Sequence, residues 1–428
     1  MKDCKDIRVM VVDHGQFVEV ARRMSTDCKE VLYCYPTERC MPLLSEGIVG
    51  DGIEGVTRVE SIWDDDDIDL YVFPDVGFSS EQKGLIRRGK AVWGARDADK
   101  LETNRGLFCK TLESLDMPMA DYETIKGMTN LKLFLKDKQD KYIKISKWRG
   151  DMETFHWSSW KENEIELDRL AIRFGAAKEG IKFYVFDPIE AEIEDGIDSY
   201  CIDGKFPSLV LHGMENKDKS YIGAMQKWDD LPEEVRSVNE KFSPILAQYG
   251  YRAMFCTEVR ITEKDESYFI DPTCRFPSPP FQVMLDLFGN FSDIIWQGAN
   301  GILIDPEPTA KVGVQALLKM DKSVDEWGVA EIPDSIKGQV KGCFNCEIGG
   351  AMVFPPSPMG DMVAWLTATG DTIEEAIKTL QEYKSDLPDV FSCEDKSLAD
   401  LLVEIQKAEE KGIEYPGEKP EPSIVLED

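Results

Sequence analysis

Four short apolar runs stand out in the first hundred residues: 6–13 (DIRVMVVD), 29–36 (KEVLYCYP), 68–75 (IDLYVFPD) and 90–95 (KAVWGA). Each has the length of a strand and polar flanks. Amphipathic stretches around 15–25 and 80–89 fall between them. Short apolar strands alternating with helices predict a parallel sheet over residues 1–97, an α/β module. A helix is predicted at about 99–115, closed by Met117-Pro118. LKLFLKD, KYIKISKW and KFYVFDPIEAEIED then read as strands, as does SLVLHG (208–213). A helix at 232–249 precedes a hairpin, in which YRAMFCTEVRI and SYFIDPTCR flank the turn TEKDE. Residues 98–300 therefore predict an α+β module. A small C-terminal α+β module is expected over 301–412. It runs from KVGVQALLKM through strands near 339–368 to helices at 371–384 and 395–411. Thr372 with Glu375 three residues on is a capping-box signature. Residues 413–428, rich in Pro and Glu, read as a disordered tail.

Charge narrows the list of partners. The chain has 81 acidic and 50 basic residues, a net charge of −31. Such a surface repels phosphate backbones and argues against polymeric nucleic acid as a partner. It leaves room for a small phosphate-bearing ligand in a local basic pocket with a metal. No run of 18 uncharged apolar residues is present, so no membrane span is expected. The start, MKDCKDIRVMVVD, lacks the features of a signal peptide, which points to the cytoplasm. Eleven cysteines, odd in number and irregular in spacing, read as free thiols. Cys343 and Cys346 form a CxxC pair with no second pair, and there are three histidines, so no structural metal site stands out.

The chemistry is concentrated in the 98–300 module. Glu258 and Asp271 lie thirteen residues apart on the two arms of the hairpin. Pairing through a short turn brings both carboxylates to one face, spaced for one or two Mg²⁺ ions. Alternation alone leaves the bland alternative of two solvent-facing acids.

The order of motifs around them resembles the ATP-grasp superfamily, and within it phosphoribosylamine–glycine ligases. DLYVFPDVGF resembles that family's strand ending in Gly-Pro-Glu. KAVWGARDADKLETNRGLFCKTLESLDMP resembles its Val-Phe-Gly-Pro-Ser … Leu-Glu … Lys-x-Phe … Gly-Ile-Pro segment. KYIKIS matches the strand with an ATP-binding lysine, YFIDPTCRF lies where the family has Glu-Phe-Asn-Cys-Arg-Phe, and MVAWLTATGDTIEEA resembles its Val-Thr-Ala-x-Gly-Asp-Thr-Leu-Glu-Glu-Ala. The resemblance implies an ADP-forming carboxylate–amine ligase with ATP and Mg²⁺ (or Mn²⁺) as cofactors. Glu258, Asp271 and Thr273 would hold the metal. Lys144 and Arg105, with Lys110 as an alternative, would bind phosphates. Lys147, Arg149 and Gly150 would cover them. Glu190 and Glu192 would meet the adenine, Asp198 or Glu194 the ribose, and Arg275 the transferring phosphoryl group. Thr273 replaces the family's asparagine, and VVDHGQFVEVA has one glycine where the family has Gly-x-Gly-Gly-Arg-Glu-His. These departures imply a divergent member, of the kind some phages encode. It would join an amino acid such as glycine to an amine-bearing small molecule or nucleotide. A phosphoribosylamine–glycine ligase proper and a non-catalytic ATP-binding scaffold are the alternatives.

Overall fold

The computed structural model describes residues 1–36, 44–63, 65–145, 154–264, 266–321, 326–415, 419–420 and 422. Val9 to Val12 are all buried, as expected of a parallel strand covered on both faces. This strand, β1 (Arg8–Val12), joins β2 (Glu30–Cys34), β3 (Val56–Val59), β4 (Leu70–Val72) and β5 (Ala91–Trp93). The all-parallel order is β3-β2-β1-β4-β5. Helices α1 (Val18–Ser25), α2 (Leu44–Ile48) and α3 (Ser79–Arg87) connect the strands. The pattern of apolar runs misses α2 and β3. The strand β3 is only half-buried and reads VTRV, too short and polar to register.

The helix predicted at 99–115 is two helices, α4 (Asp99–Thr103) and α5 (Arg105–Ser114). Asn104 separates them with an extended backbone (φ −132, ψ 90), and its side chain accepts a hydrogen bond from the Leu107 N–H. Asparagine is among the best N-caps, so a fresh helix start at this residue is chemically natural.

An antiparallel sheet follows, with strands β6 (Tyr122–Lys126), β7 (Lys141–Ile145), β8 (Thr154–Trp157) and β9 (Lys182–Phe186) in the order β6-β9-β7-β8. Helices α6 (Met128–Leu135) and α7 (Trp160–Phe174) are part of the same unit. The strand expected at LKLFLKD is corrected by α6. Met128, Leu131 and Leu135 are buried while Leu133 is 69% exposed, a helical rather than an alternating period. Likewise KFYVFDPIEAEIED is not continuous: β9 ends at Phe186, and the next strand begins at Ala191.

The largest sheet holds β10 (Ala191–Ile202), β11 (Leu209–Asn216), β12 (Ser220–Lys227), β13 (Arg252–Thr262), β14 (Ser267–Thr273) and β15 (Val312–Lys319). A small three-stranded sheet contains β16 (Gly328–Ala330), β18 (Cys346–Ile348) and β19 (Ala351–Phe354). The strands β17 (Val340–Gly342) and β20 (Met362–Gly370) return to the large sheet. Its order is β14-β13-β10-β11-β12-β15-β20-β17, so hydrogen bonding continues across residue 300. Helix α8 (Glu233–Gln248) packs on β10 and β13 through Val235, Val238 and Phe242. Thr372 caps its helix as expected, accepting from the Glu375 N–H at 3.1 Å. At the start of the segment read as a disordered tail, Ile413 and Tyr415 are buried. Residues 416–418, 421 and 423–428 of that segment lie outside the described residues. Among the described residues no helix is long and apolar enough to cross a membrane.

Candidate active site

The hairpin β13–β14 sets Glu258 directly opposite Asp271. Strict alternation would put Phe269 and Asp271 on one face. The structure avoids this with a bulge at Ile270: Val259 pairs with Phe269, and Glu258 with Asp271. Phe269 therefore joins the core, only 3% exposed, while Asp271 lies on the opposite face with its side chain 29% exposed. One step along, Thr273 pairs with Cys256, and Cys256 with Asp198 of β10. Cross-strand partners lie side by side, so Glu258, Asp271, Thr273 and Asp198 share one face.

Two cations converge on Asp271. Arg105 of α5 bonds to Oδ1, and Lys144 of β7 to Oδ2. Arg105 also donates to the Ile270 carbonyl at 3.0 Å. Burial pushes the Asp271 carboxyl up, but Arg105 and Lys144 outweigh it and hold the group well below the usual carboxylate range. Burial lowers the Lys144 ammonium, against the pull of Asp271. Glu258 lies on the other side of the balance. Burial, then the nearby Glu194 and Asp271, raise it well above its ordinary value. Asp198 is pushed up to about 6 by burial, although the Tyr221 hydroxyl donates to it at 2.7 Å.

Arg275, just past β14, donates from Nε to Glu102 at 3.0 Å and from Nη1 to the Phe276 carbonyl at 2.9 Å. It lies 3.9 Å from Asp75, in the loop after β4. The predicted residues Arg105, Lys144, Glu258 and Asp271 thus meet, with Thr273 and Arg275 at the end of the same strand. Lys110 does not join them; it is exposed on α5. Asp198 falls at the Thr273 end of the site, while Glu194 lies toward the start of β10, paired with Arg260 at 2.9 Å. Glu190, between β9 and β10, lines a cavity of about 740 Å³ with Met119, Thr262 and Tyr268. Lys147, Arg149 and Gly150 lie outside the described residues, as does the side chain of Glu192. Reading the sequence missed Glu102 and Tyr221. For Glu102 a signal was present, in the Leu-Glu pair three residues before Arg105.

No protein-family model matches the chain, and no curated protein matches it in sequence. Solved structures do match. Phosphoribosylamine–glycine ligase from Thermotoga maritima superposes with a TM-score of 0.68 at 16% identity, covering 90% of this chain and 99% of that one. The biotin carboxylase domain of 2-oxoglutarate carboxylase from Hydrogenobacter thermophilus, solved with MgADP and bicarbonate, gives 0.63 at 12%, covering 97% and 100%. N5-carboxyaminoimidazole ribonucleotide synthetase from Thermotoga maritima gives 0.57 at 11%, covering 90% and 99%. The chain has the ATP-grasp fold. These neighbours lend no support to a phage-type member in particular.

Within this fold the donor set fits a hard divalent cation. Glu258 is a carboxylate raised by burial and by its acidic neighbours, with Asp271 directly opposite. Among the described residues no three His, Cys, Asp or Glu side chains form a cage. Two carboxylates suit Mg²⁺, which keeps waters and phosphate oxygens as its other ligands.

Proposed function

We propose that the protein is an ATP-dependent carboxylate–amine ligase, acting on a small-molecule carboxylate and amine through an acyl phosphate. The observation that carries this reading is the grip of Arg105 and Lys144, from two different structural units, on a carboxylate opposite Glu258. Four buried or half-buried ionisable groups in one cluster are costly unless they serve a charged ligand. A triphosphate and a metal let the same four groups re-pair. Lys144 and Arg105 would turn to phosphate oxygens, and Asp271 and Glu258 would hold Mg²⁺. Bound Mg²⁺ would neutralise charge on the phosphate oxygens.

In the reaction, an oxygen of the carboxylate substrate attacks the γ-phosphorus and ADP leaves, giving the acyl phosphate. The neutral amine then attacks the carbonyl carbon, inorganic phosphate leaves, and the nitrogen loses a proton. Arg275 stabilises charge on the transferring group, and Lys144 and Arg105 orient the triphosphate. No nucleophilic side chain is required. An amino acid such as glycine is the candidate carboxylate, and an amine-bearing small molecule or nucleotide the acceptor. The likeness to a phosphoribosylamine–glycine ligase favours a second, narrower reading, in which the amine is phosphoribosylamine. Against it stands the loop after β1, where a buried Asp13 and the single Gly15 replace a glycine-rich turn.

The test is release of ADP and phosphate from Mg-ATP, with each amino acid against pooled amines and nucleotides. Release that depends on one amino acid and one amine is the expected result. Turnover with phosphoribosylamine and glycine would select the narrower reading. ATP binding without release under any pairing would leave a non-catalytic scaffold, and absence of ATP binding would sink the proposal.

A further inference from the structure

The break at Asn104 places two long charged side chains, Glu102 and Arg105, on either side of it, and both reach the same end of β14. Arg105 holds Asp271 and the Ile270 carbonyl. Glu102 Oε2 accepts from the Cys274 N–H at 2.8 Å, and its Oε1 accepts from Arg275 Nε at 3.0 Å. The Glu102 side chain is 8% exposed. With Nη1 also bound to the Phe276 carbonyl, two of the three nitrogens of Arg275 are anchored. A planar guanidinium anchored at two nitrogens has its orientation set. A competing partner is close by. Asp75 lies 3.9 Å from Arg275, and the Phe276 N–H donates to the Pro74 carbonyl at 2.9 Å, so the loop after β4 touches this turn.

We infer that Glu102 is a positioning residue for phosphoryl transfer. It fixes the Arg275 guanidinium at the end of β14, as the nearer of its two carboxylate neighbours, without touching substrate itself. The inference rests on the ligase reading for its consequence, but not for its geometry. The short α4–α5 junction then acts on both ends of the site, through Arg105 on Asp271 and through Glu102 on Arg275.

Two variants test it. Glu102→Gln keeps an acceptor for the Cys274 N–H but turns a neutral amide to Arg275; Glu102→Asp keeps the charge on a shorter stem. Glu102→Gln is expected to lower kcat for ADP formation about ten- to a hundredfold, with KM for MgATP within about twofold, since misplaced transition-state stabilisation is lost while ground-state binding is kept. Glu102→Asp recovers part of the loss. The second readout needs no turnover: the rate at which phenylglyoxal modifies Arg275, followed by peptide mass mapping. It should rise severalfold in Glu102→Gln. An unchanged modification rate would overturn the inference, as would unchanged kcat, or unfolding of both variants, which would make Glu102 purely structural. If the wild type turns over no amino acid–amine pair, the ligase reading fails, while the modification rate still decides whether Glu102 holds Arg275.

Discussion

The two faces of β10 carry opposite kinds of polar chemistry. On the back face, Asp195 accepts from His212 Nε2 at 2.8 Å, from the Tyr415 hydroxyl at 2.8 Å and from the Gly196 N–H at 2.8 Å. His212 Nδ1 meets Gln226 Oε1 at 2.7 Å, and Gln226 in turn donates to the Asp230 carbonyl. Tyr415 stacks on the imidazole with centroids 4.5 Å apart. Here every charge has a fixed partner. On the front face, two residues along the strand from Gly196, Asp198 is raised to about 6, and Glu258 of β13 is raised well above its ordinary value by burial. The contrast teaches how one sheet divides its work. The saturated face stabilises the fold, whereas the front holds two carboxyls, Glu258 and Asp198, that burial raises above their ordinary values.

The largest effect expected from this contrast is on the back face. His212→Ala leaves Asp195 buried without its cation and should cost about 3–5 kcal/mol, read from urea unfolding. KM for MgATP should stay within about twofold. The effect has a pH sign. Burial lowers the His212 pKa, but Asp195 outweighs it, and the folded value lies above the ordinary 6.5. The stability from the charged imidazole is therefore fully present below that ordinary value and lost as pH rises through the folded one. The gap between wild type and variant should shrink toward alkaline pH. A gap below about 1 kcal/mol at pH 6 would contradict the saturated network.

On the front face the large effect is on turnover. Asp271→Asn removes the proposed metal ligand and the shared partner of Arg105 and Lys144. ADP formation should fall by about 10²–10³-fold or more, equivalent to about 2.7–4 kcal/mol of transition-state stabilisation. The variant should remain folded by circular dichroism, because Arg105 keeps the Ile270 carbonyl and the asparagine amide oxygen still accepts from one of the two cations. Wild-type turnover in Asp271→Asn would remove this carboxylate from the chemistry. Lys144→Ala should behave in the same direction.

Much of this face was legible in the sequence, and the reasons are specific. A hairpin with a short turn made Glu258 and Asp271 candidates, but alternation alone favoured two solvent-facing acids, and it was the resemblance in motif order that singled the pair out. Arg105 and Lys144 needed a resemblance, since nothing in the spacing says that a helix at 105 and a strand at 144 meet at one carboxylate. The bulge at Ile270 was invisible, because it is a tertiary choice: Phe269 goes to the core, so one residue is looped out. Periodicity failed at α6, where Leu131 to Leu135 contain both an alternating and a helical subset of apolar residues, and the packing of Met128 settled which one is buried. The back-face network was equally hidden. A lone His212 and a Tyr415 from a segment read as disordered are far apart in sequence, and only the fold makes them stack.

The smallest effect predicted is the one that most sharpens the comparison, because it runs against the usual direction of mutation. The Asp198 carboxyl has a folded value of about 6, above the 3.8 of an ordinary aspartate, with burial as the chief cause. Between those two values the folded state binds more protons than the unfolded one, so stability falls as pH rises through that window. Above it, the charged group is a standing cost of order 2 kcal/mol, allowing for the side chain's partial exposure. Asp198→Asn removes that charge and keeps an acceptor for the Tyr221 hydroxyl. It should therefore raise the unfolding free energy at pH 8 by about 1–2 kcal/mol, with the gain fading as pH falls through the folded value of about 6 toward 3.8 and absent below that, where aspartate is neutral in both states. The same variant should weaken MgATP binding or turnover if the excess of carboxylate serves the ligand. Calorimetric scans of wild type and Asp198→Asn across that pH range, beside ADP-release assays, make the comparison. A destabilised Asp198→Asn at pH 8 would mean that the front face is as saturated as the back. A stabilised but fully active one would mean that its surplus charge is not there for the ligand.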